Sequence, residues 1–165
     1  ETVKACAKLL AENCELETLE CWDALGVASH MLILADGLKC HKHLQKLDLG
    51  SNYFVDDDLE HLTRSITTCL RMEEVDVSRS SILDQGLAFF ASQEMPRSLR
   101  LLNLNDCREL TEKSAHLILK ILQDNPNLYV ECPHRLVRES DHCEEIQHLL
   151  DMNSSGRCLL GQSDG

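Results

Sequence analysis

Aromatic side chains supply only 4% of the 165 residues, with a single tryptophan, so any core must be filled by Leu, Ile, Val and Ala instead of stacked rings. Long apolar runs are missing too. The stretch His30 to Ala35 is far short of the 18 to 20 residues that cross a bilayer, and a soluble protein is expected. Positive charge is scarce: the formal net charge is -12, and the local basic groups are Arg97 with Arg100 and Arg135 with Arg138. Glu131, Glu139 and Asp141 dilute the second of these. A polyanion or an anionic membrane surface needs clustered Lys and Arg, so nucleic-acid and membrane-surface roles are excluded. The catalytic phrases G-x-S-x-G, G-x-x-x-x-G-K and H-E-x-x-H are also absent. His41, His43, His61, His116 and His134 then read as turn or helix residues. Neither an enzyme nor a cofactor is expected.

A repeated phrase is what the chain does have. Leu44-Gln-Lys-Leu47-Asp-Leu49-Gly-Ser-Asn52 has the form L-x-x-L-x-L-x-x-N, and its first apolar position recurs at Leu16, Leu44, Met72, Leu99 and Leu128. The steps are 28, 28, 27 and 29 residues. The second and third apolar positions are Leu19 and Cys21, Leu47 and Leu49, Val75 and Val77, and Leu102 and Leu104. The fifth unit, Leu128-Tyr-Val-Glu-Cys132-Pro133, is degenerate. After each phrase the apolar period changes from two to about three and a half, as a strand followed by a helix demands. Helices are expected near 26 to 38, 57 to 69, 84 to 93 and 112 to 123. A further helix near 2 to 11 has no strand before it.

Phrase and period together resemble leucine-rich repeats, and the long helical units are similar to the ribonuclease-inhibitor-type subfamily over residues 1 to 133. The resemblance implies an α/β leucine-rich-repeat solenoid: a short curved horseshoe with a parallel sheet on the concave face, helices on the convex face and a C-terminal helical cap. It also implies scaffolding by protein recognition, as in inhibitors, immune receptors, ubiquitin-ligase adaptors and regulators of small GTPases and actin. The family's asparagine, which holds the turn after the strand, is present only as Asn52. Ala24, Ser80 and Cys107 stand in its place elsewhere. Ser80 and Cys107 can replace its hydrogen bonds only weakly, and Ala24 not at all.

Residues 134 to 165 are expected to form a C-terminal capping helix and tail. Asp141-x-x-Glu144 offers a capping box for a helix over 140 to 153, with Cys143, Ile146, Leu149 and Leu150 on its apolar face. Asn153 to Gly156 should end that helix and leave 161 to 165 loose. At the other end, Glu1 is no initiator and the first helix lacks its strand, so the chain reads as a piece of a longer protein or as one that lacks a disordered N-terminus. Nine cysteines, an odd number without paired spacings, point to buried thiols in a reducing compartment, cytoplasmic or nuclear, with an organelle also open. A metal alternative rests on Cys14, Cys40, His41, His43 and Cys69, which fall in equivalent helix-to-strand turns but lack the usual zinc spacings.

The residues between the strand's apolar positions face outward, and their central column is Glu20, Asp48, Asp76 and Asn103. Strands lie about 4.8 Å apart, so adjacent carboxylates repel by roughly 1 to 3 kcal/mol at effective dielectrics between 20 and 80. Glu74 adds charge beside the column, with Lys46 and Arg79 near enough to offset part of it. Trp22 takes the next outward position of the first strand. The expected function is non-enzymatic binding of a basic protein surface through Glu20, Trp22, Asp48, Glu74, Asp76 and Asn103 on an acidic concave face. The alternative is a structural subunit built into a large complex through its open edge or convex helices.

Overall fold

The computed structural model describes residues 2–13, 15–24, 29–39 and 41–160. Five strands of three residues, β1 (Thr18–Glu20), β2 (Lys46–Asp48), β3 (Glu74–Asp76), β4 (Leu101–Asn103) and β5 (Tyr129–Glu131), pair in chain order in one parallel sheet. The helices are α1 (Thr2–Glu12), α2 (Ser29–Leu38), α3 (Asp56–Ile66), α4 (Asp84–Ala91), α5 (Lys113–Asp124), α6 (His134–Arg138) and α7 (Cys143–Leu160). Parallel strands need a crossover, and each of α2 to α5 supplies one and packs on the next. This is the leucine-rich-repeat architecture that the phrase demanded.

The core follows the same arithmetic. Leu44, Leu47 and Leu49 are fully buried, as are Met72, Val75 and Val77, and Leu99, Leu102 and Leu104 one unit further on. The degenerate fifth unit still forms a strand, because Leu128 and Val130 keep the two apolar positions that matter and pair beside β4.

Turns after the strands solve one problem three ways. Asn52, buried, donates from Nδ2 to Leu49 O at 2.7 Å in its own unit and to Cys21 O at 2.9 Å in the unit before. Its Oδ1 accepts the Ala24 N–H at 3.1 Å, so the turn that has no side-chain donor of its own is held by its neighbour. Ser80 makes the first kind of bond, to Val77 O at 2.6 Å, and Cys107 the second, to the same Val77 O at 3.5 Å. Two short side chains divide between them what the asparagine does alone.

The helix starts are tied across repeats as well. Asp56 Oδ1 accepts the Leu83 N–H at 2.7 Å, and Asp84 accepts the Thr111 N–H at 2.9 Å, the Thr111 hydroxyl at 2.5 Å and the Ser114 hydroxyl. Burial pushes the Asp84 carboxyl up, but the Ser114 and Thr111 bonds outweigh it and hold the group below the usual carboxylate range. Gly86 makes room for this arrangement, since a methyl group there would lie 2.6 Å from Asp56 Oδ1 and 3.1 Å from its Cα.

At the C-terminal end α7 packs on α5, α6 and β5. Ile146 and Leu150 are buried, Cys143 and Leu149 lie against the core, and Asn153 Nδ2 donates to Leu128 O at 2.6 Å. Two expectations need correcting. The helix begins at Cys143, which puts Asp141 one residue too early to cap it with Glu144 at the third position. It also runs through Asn153 and Gly156 to Leu160, because Asn153 spends its amide on the last strand and so does not stop the helix. The short α6 was not foreseen, and the expected loose tail at 161–165 and the first residues of the helix expected from 26 fall outside the described residues.

Replacing Asn52 with Ala should cost about 2–4 kcal/mol, since it strands two carbonyls and an N–H, against about 1 kcal/mol for Ser80→Ala. Urea unfolding of the two variants measures the difference, and equal costs would contradict the bridging role. Gly86→Ala should destabilise by roughly 1–2 kcal/mol, although alanine is the better helix former, because the methyl displaces the Asp56 carboxylate. The same titration reads it, and a stabilised variant would show that Asp56 moves aside freely.

Candidate protein-binding face

Strand register places Glu20 beside Asp48, Asp48 beside Asp76, Asp76 beside Asn103 and Asn103 beside Glu131. The outward column therefore exists as read, with Glu131 as a fifth member that the degenerate repeat had hidden.

Apart from the exposed Glu20 these side chains are half-buried, and the central three are anchored. Asp48 Oδ1 accepts the Gly50 N–H at 3.0 Å, Asp76 Oδ1 the Ser78 N–H at 2.8 Å, and Asn103 Oδ1 the Asn105 N–H at 2.9 Å. Each turns the chain at the strand's end by bonding the backbone two residues on, the habit that makes Asp and Asn frequent in turns. The other oxygen of Asp76 accepts from Asn103 Nδ2 at 2.7 Å, and Glu131 Oε2 accepts from Asn105 Nδ2 at 2.9 Å. An amide between Asp76 and Glu131 thus breaks the run of like charge. Lys46 relieves the other end: its ammonium lies 3.3 Å from Glu20, which raises the lysine above its ordinary range, helped by Glu74 and Asp48.

Directly after these turns the backbone enters the left-handed region at Asp23, Ser51, Arg79 and Asp106, one residue per unit. Arg79 Nε lies 3.5 Å from Asp106 Oδ2 on the next turn, so its ion pair is made there.

Trp22, 56% exposed, forms the far wall. A methyl group at Gly50 would sit 3.1 Å from Trp22 Cδ1, 3.1 Å from Ser78 Oγ and 3.2 Å from Asp76 Oδ1. Gly50 is therefore packed against the indole, Ser78 and the Asp76 carboxylate, with no room for a side chain, and its bareness is what lets Trp22 and Asp76 come this close. Trp22, Asp48, Asp76 and Asn103 line a groove of about 850 Å³ together with Arg79, Arg108, His134 and Arg135. Four of the six expected residues are brought together. Glu20 and Glu74 stay outside the groove, Glu20 on Lys46 and Glu74 half-buried at the other end of β3. Of the basic rim, Arg79 was expected near the column, whereas Arg108 was missed and Arg135 not placed there because both lie past the turns, outside the repeated phrase. Arg135 donates to Arg108 O at 2.7 Å and Leu110 O at 2.8 Å, and Arg108 is exposed.

The metal alternative loses two of its five residues to the backbone. His41 is buried, with Nε2 donating to Asn13 O at 2.9 Å and Nδ1 accepting the Leu44 N–H at 3.1 Å. Cys69 Sγ donates to Leu38 O at 3.3 Å, and burial pushes its thiol up to about 11. His43 Nδ1 lies 3.3 Å from Arg71, and Cys14 and Cys40 lie outside the described residues. Among the described residues no group of three potential ligands assembles, and no helix is long and apolar enough to cross a membrane. Burial likewise pushes Cys132 and Cys107 up to about 11, and it pushes Cys21 up to about 12 with help from the adjacent Cys6 and from Asp48.

Asn103→Asp should destabilise by about 1–2 kcal/mol at pH 7, because it swaps a donor to Asp76 for a third adjacent carboxylate. The repulsive part is Coulombic and partly exposed, so the penalty should shrink in about 1 M salt, where the Debye length falls to about 3 Å. Urea titrations at low and high salt check this, and a salt-independent penalty would assign the effect to packing.

No protein-family model and no curated protein matches this sequence. Solved structures share its fold. The chain superposes on the tropomodulin C-terminal domain of Caenorhabditis elegans with a TM-score of 0.81 at 18% identity, over 98% of this chain and 100% of that one. It superposes on leiomodin-1 actin-binding site 2 with a TM-score of 0.78 at 11% identity, over 94% of this chain and 91% of that one. What the chain has in common with both is the leucine-rich-repeat type of α/β fold.

Proposed function

We propose that this chain is a non-enzymatic protein-recognition module that takes a basic side chain of its partner into the groove lined by Trp22, Asp48 and Asp76. The observation that carries the reading is that this one groove holds the exposed Trp22 indole together with both carboxylates. A guanidinium entering there would stack on the indole and meet two carboxylates whose positions are set by their own backbone bonds. An exposed tryptophan with charged neighbours is the composition of a binding hot spot. Glu20, Glu74 and Asn103 complete the expected face, Glu20 and Glu74 acting at longer range through charge and Asn103 by holding Asp76. Arg79 and Arg108 on the rim would meet acidic groups flanking that side chain.

Because one structure with this fold is described as an actin-binding site, actin is the first protein partner to test. The units are of the ribonuclease-inhibitor type in this reading, since each return is helical at a period near 28. Residues 1 to 133 supply the recognition frame and 134 to 165 the cap. The setting is a reducing one, in keeping with buried thiols held well above their ordinary range.

Asp48→Asn with Asp76→Asn removes both charges while keeping the side-chain oxygen that each turn needs, at the loss of the bond from Asn103 to Asp76, so the melting temperature is read beside binding. Co-sedimentation with actin filaments, and affinity capture with mass spectrometry for other partners, should show binding weakened tenfold or more in this variant and in Trp22→Ala. Unaltered binding with an unaltered melting temperature would sink the concave-face reading.

Exposed Leu9 on α1 and Leu32 on α2 favour a second reading, a subunit assembled through its first helices. In that case Leu9→Ser with Leu32→Ser would abolish association and the carboxylate variant would leave it intact.

A further inference from the structure

Cys6 on α1 and Cys21, the residue directly after β1, bring their sulfur atoms to 3.4 Å across 15 residues of chain. Cys21 is buried and Cys6 half-buried. They join the two elements at the start of the stack: α1, which packs on α2, and β1, the edge strand of the sheet. Other thiols are occupied differently, Cys69 and Cys107 each donating to a backbone carbonyl. A protein disulfide needs its sulfurs about 2.05 Å apart, so the gap to close is little more than 1 Å.

We propose that Cys6 and Cys21 form a reversible disulfide site, with a small disulfide of the glutathione class as co-reactant, whose closure ties the first helix to the edge strand beneath Trp22. Cys6, the more accessible of the two, attacks one sulfur of oxidised glutathione. A mixed disulfide forms, and the first glutathione leaves as its thiol with the proton that Cys6 gave up. Cys21 then attacks Cys6 Sγ, and the second glutathione leaves with the proton from Cys21. Two protein thiols are oxidised, and one small disulfide is reduced to two thiols.

Burial gives each sulfur its part. The thiolate is the attacking form, and burial pushes Cys21 up to about 12, so Cys21 does not react first with reagent from solvent. Held against Cys6, it is nevertheless the nearest group able to displace glutathione once Cys6 carries it. Because Cys21 is bonded to Trp22 through one peptide, the sole indole reports on the closure. This site does not rest on the recognition function proposed above.

The test exposes the folded chain to oxidised glutathione, blocks remaining thiols with a maleimide and maps the linked peptides by mass spectrometry. The expected result is a Cys6–Cys21 link formed ahead of any other, a melting temperature raised by about 5–10 °C, and a change in Trp22 emission that a dithiol reductant reverses. Cys6→Ser, which alters only the half-buried partner, should lack all three while melting with the reduced wild type. The proposal is overturned if both thiols are recovered unlinked, if Cys6 retains glutathione without closing, or if the link forms only in urea.

Discussion

Hydrogen bonds passed from one unit to the next hold this molecule together, because no strand is long enough to stand alone. Each is three residues, and the carbonyls of Cys21 and Val77, just after β1 and β3, are met by Asn52 and Cys107 about thirty residues later. Asn52 is the clearest case, since one amide group closes its own turn, caps the strand before it and restrains Ala24. Remove such bonds and the buried carbonyls are orphaned in a core that water does not reach. Asp56 and Asp84 do the equivalent work at the helix starts. The stack is therefore bound along two seams, one at the turns after the strands and one at the helix starts.

The recognition face grows out of the first seam. Asp48, Asp76 and Asn103 are turn residues before they are surface residues, each with one oxygen committed to the backbone. A side chain fixed in this way loses little freedom when a partner arrives, which favours affinity. It also means that geometry at the face is inherited from the fold, so the charge of the column can be varied between Asp and Asn without disturbing the turn. Position 103 shows such a variation.

Much of this could be read in the sequence, and the failures have physical causes. Leu44, Leu47 and Leu49 announce a buried strand through spacing alone, and the outward column follows from alternation. The bond from Asn103 to Asp76 could not be read, because spacing places residues side by side without orienting an amide. Cys107 was expected to be a weak stand-in for asparagine. It works because Ser80 satisfies the same carbonyl from the other side. The helix end failed at Asn153, where a residue that often stops helices finds a tertiary acceptor in Leu128 O and lets the helix continue. Arg108 escaped notice, and Arg135 was read only as part of a diluted basic pair, since both follow the turns, where no period constrains the chain.

The groove begins at Trp22 on the first strand's turn and ends at Arg135 in α6, so it is not the property of any single unit. In a linear array, where each unit is steadied only by its neighbours, terminal units open more readily than central ones. A ligand that touches both ends can occupy the groove only in molecules whose every intervening unit is docked. Its binding energy would then be felt as cooperativity, converting an array that frays from its ends into one that opens all at once.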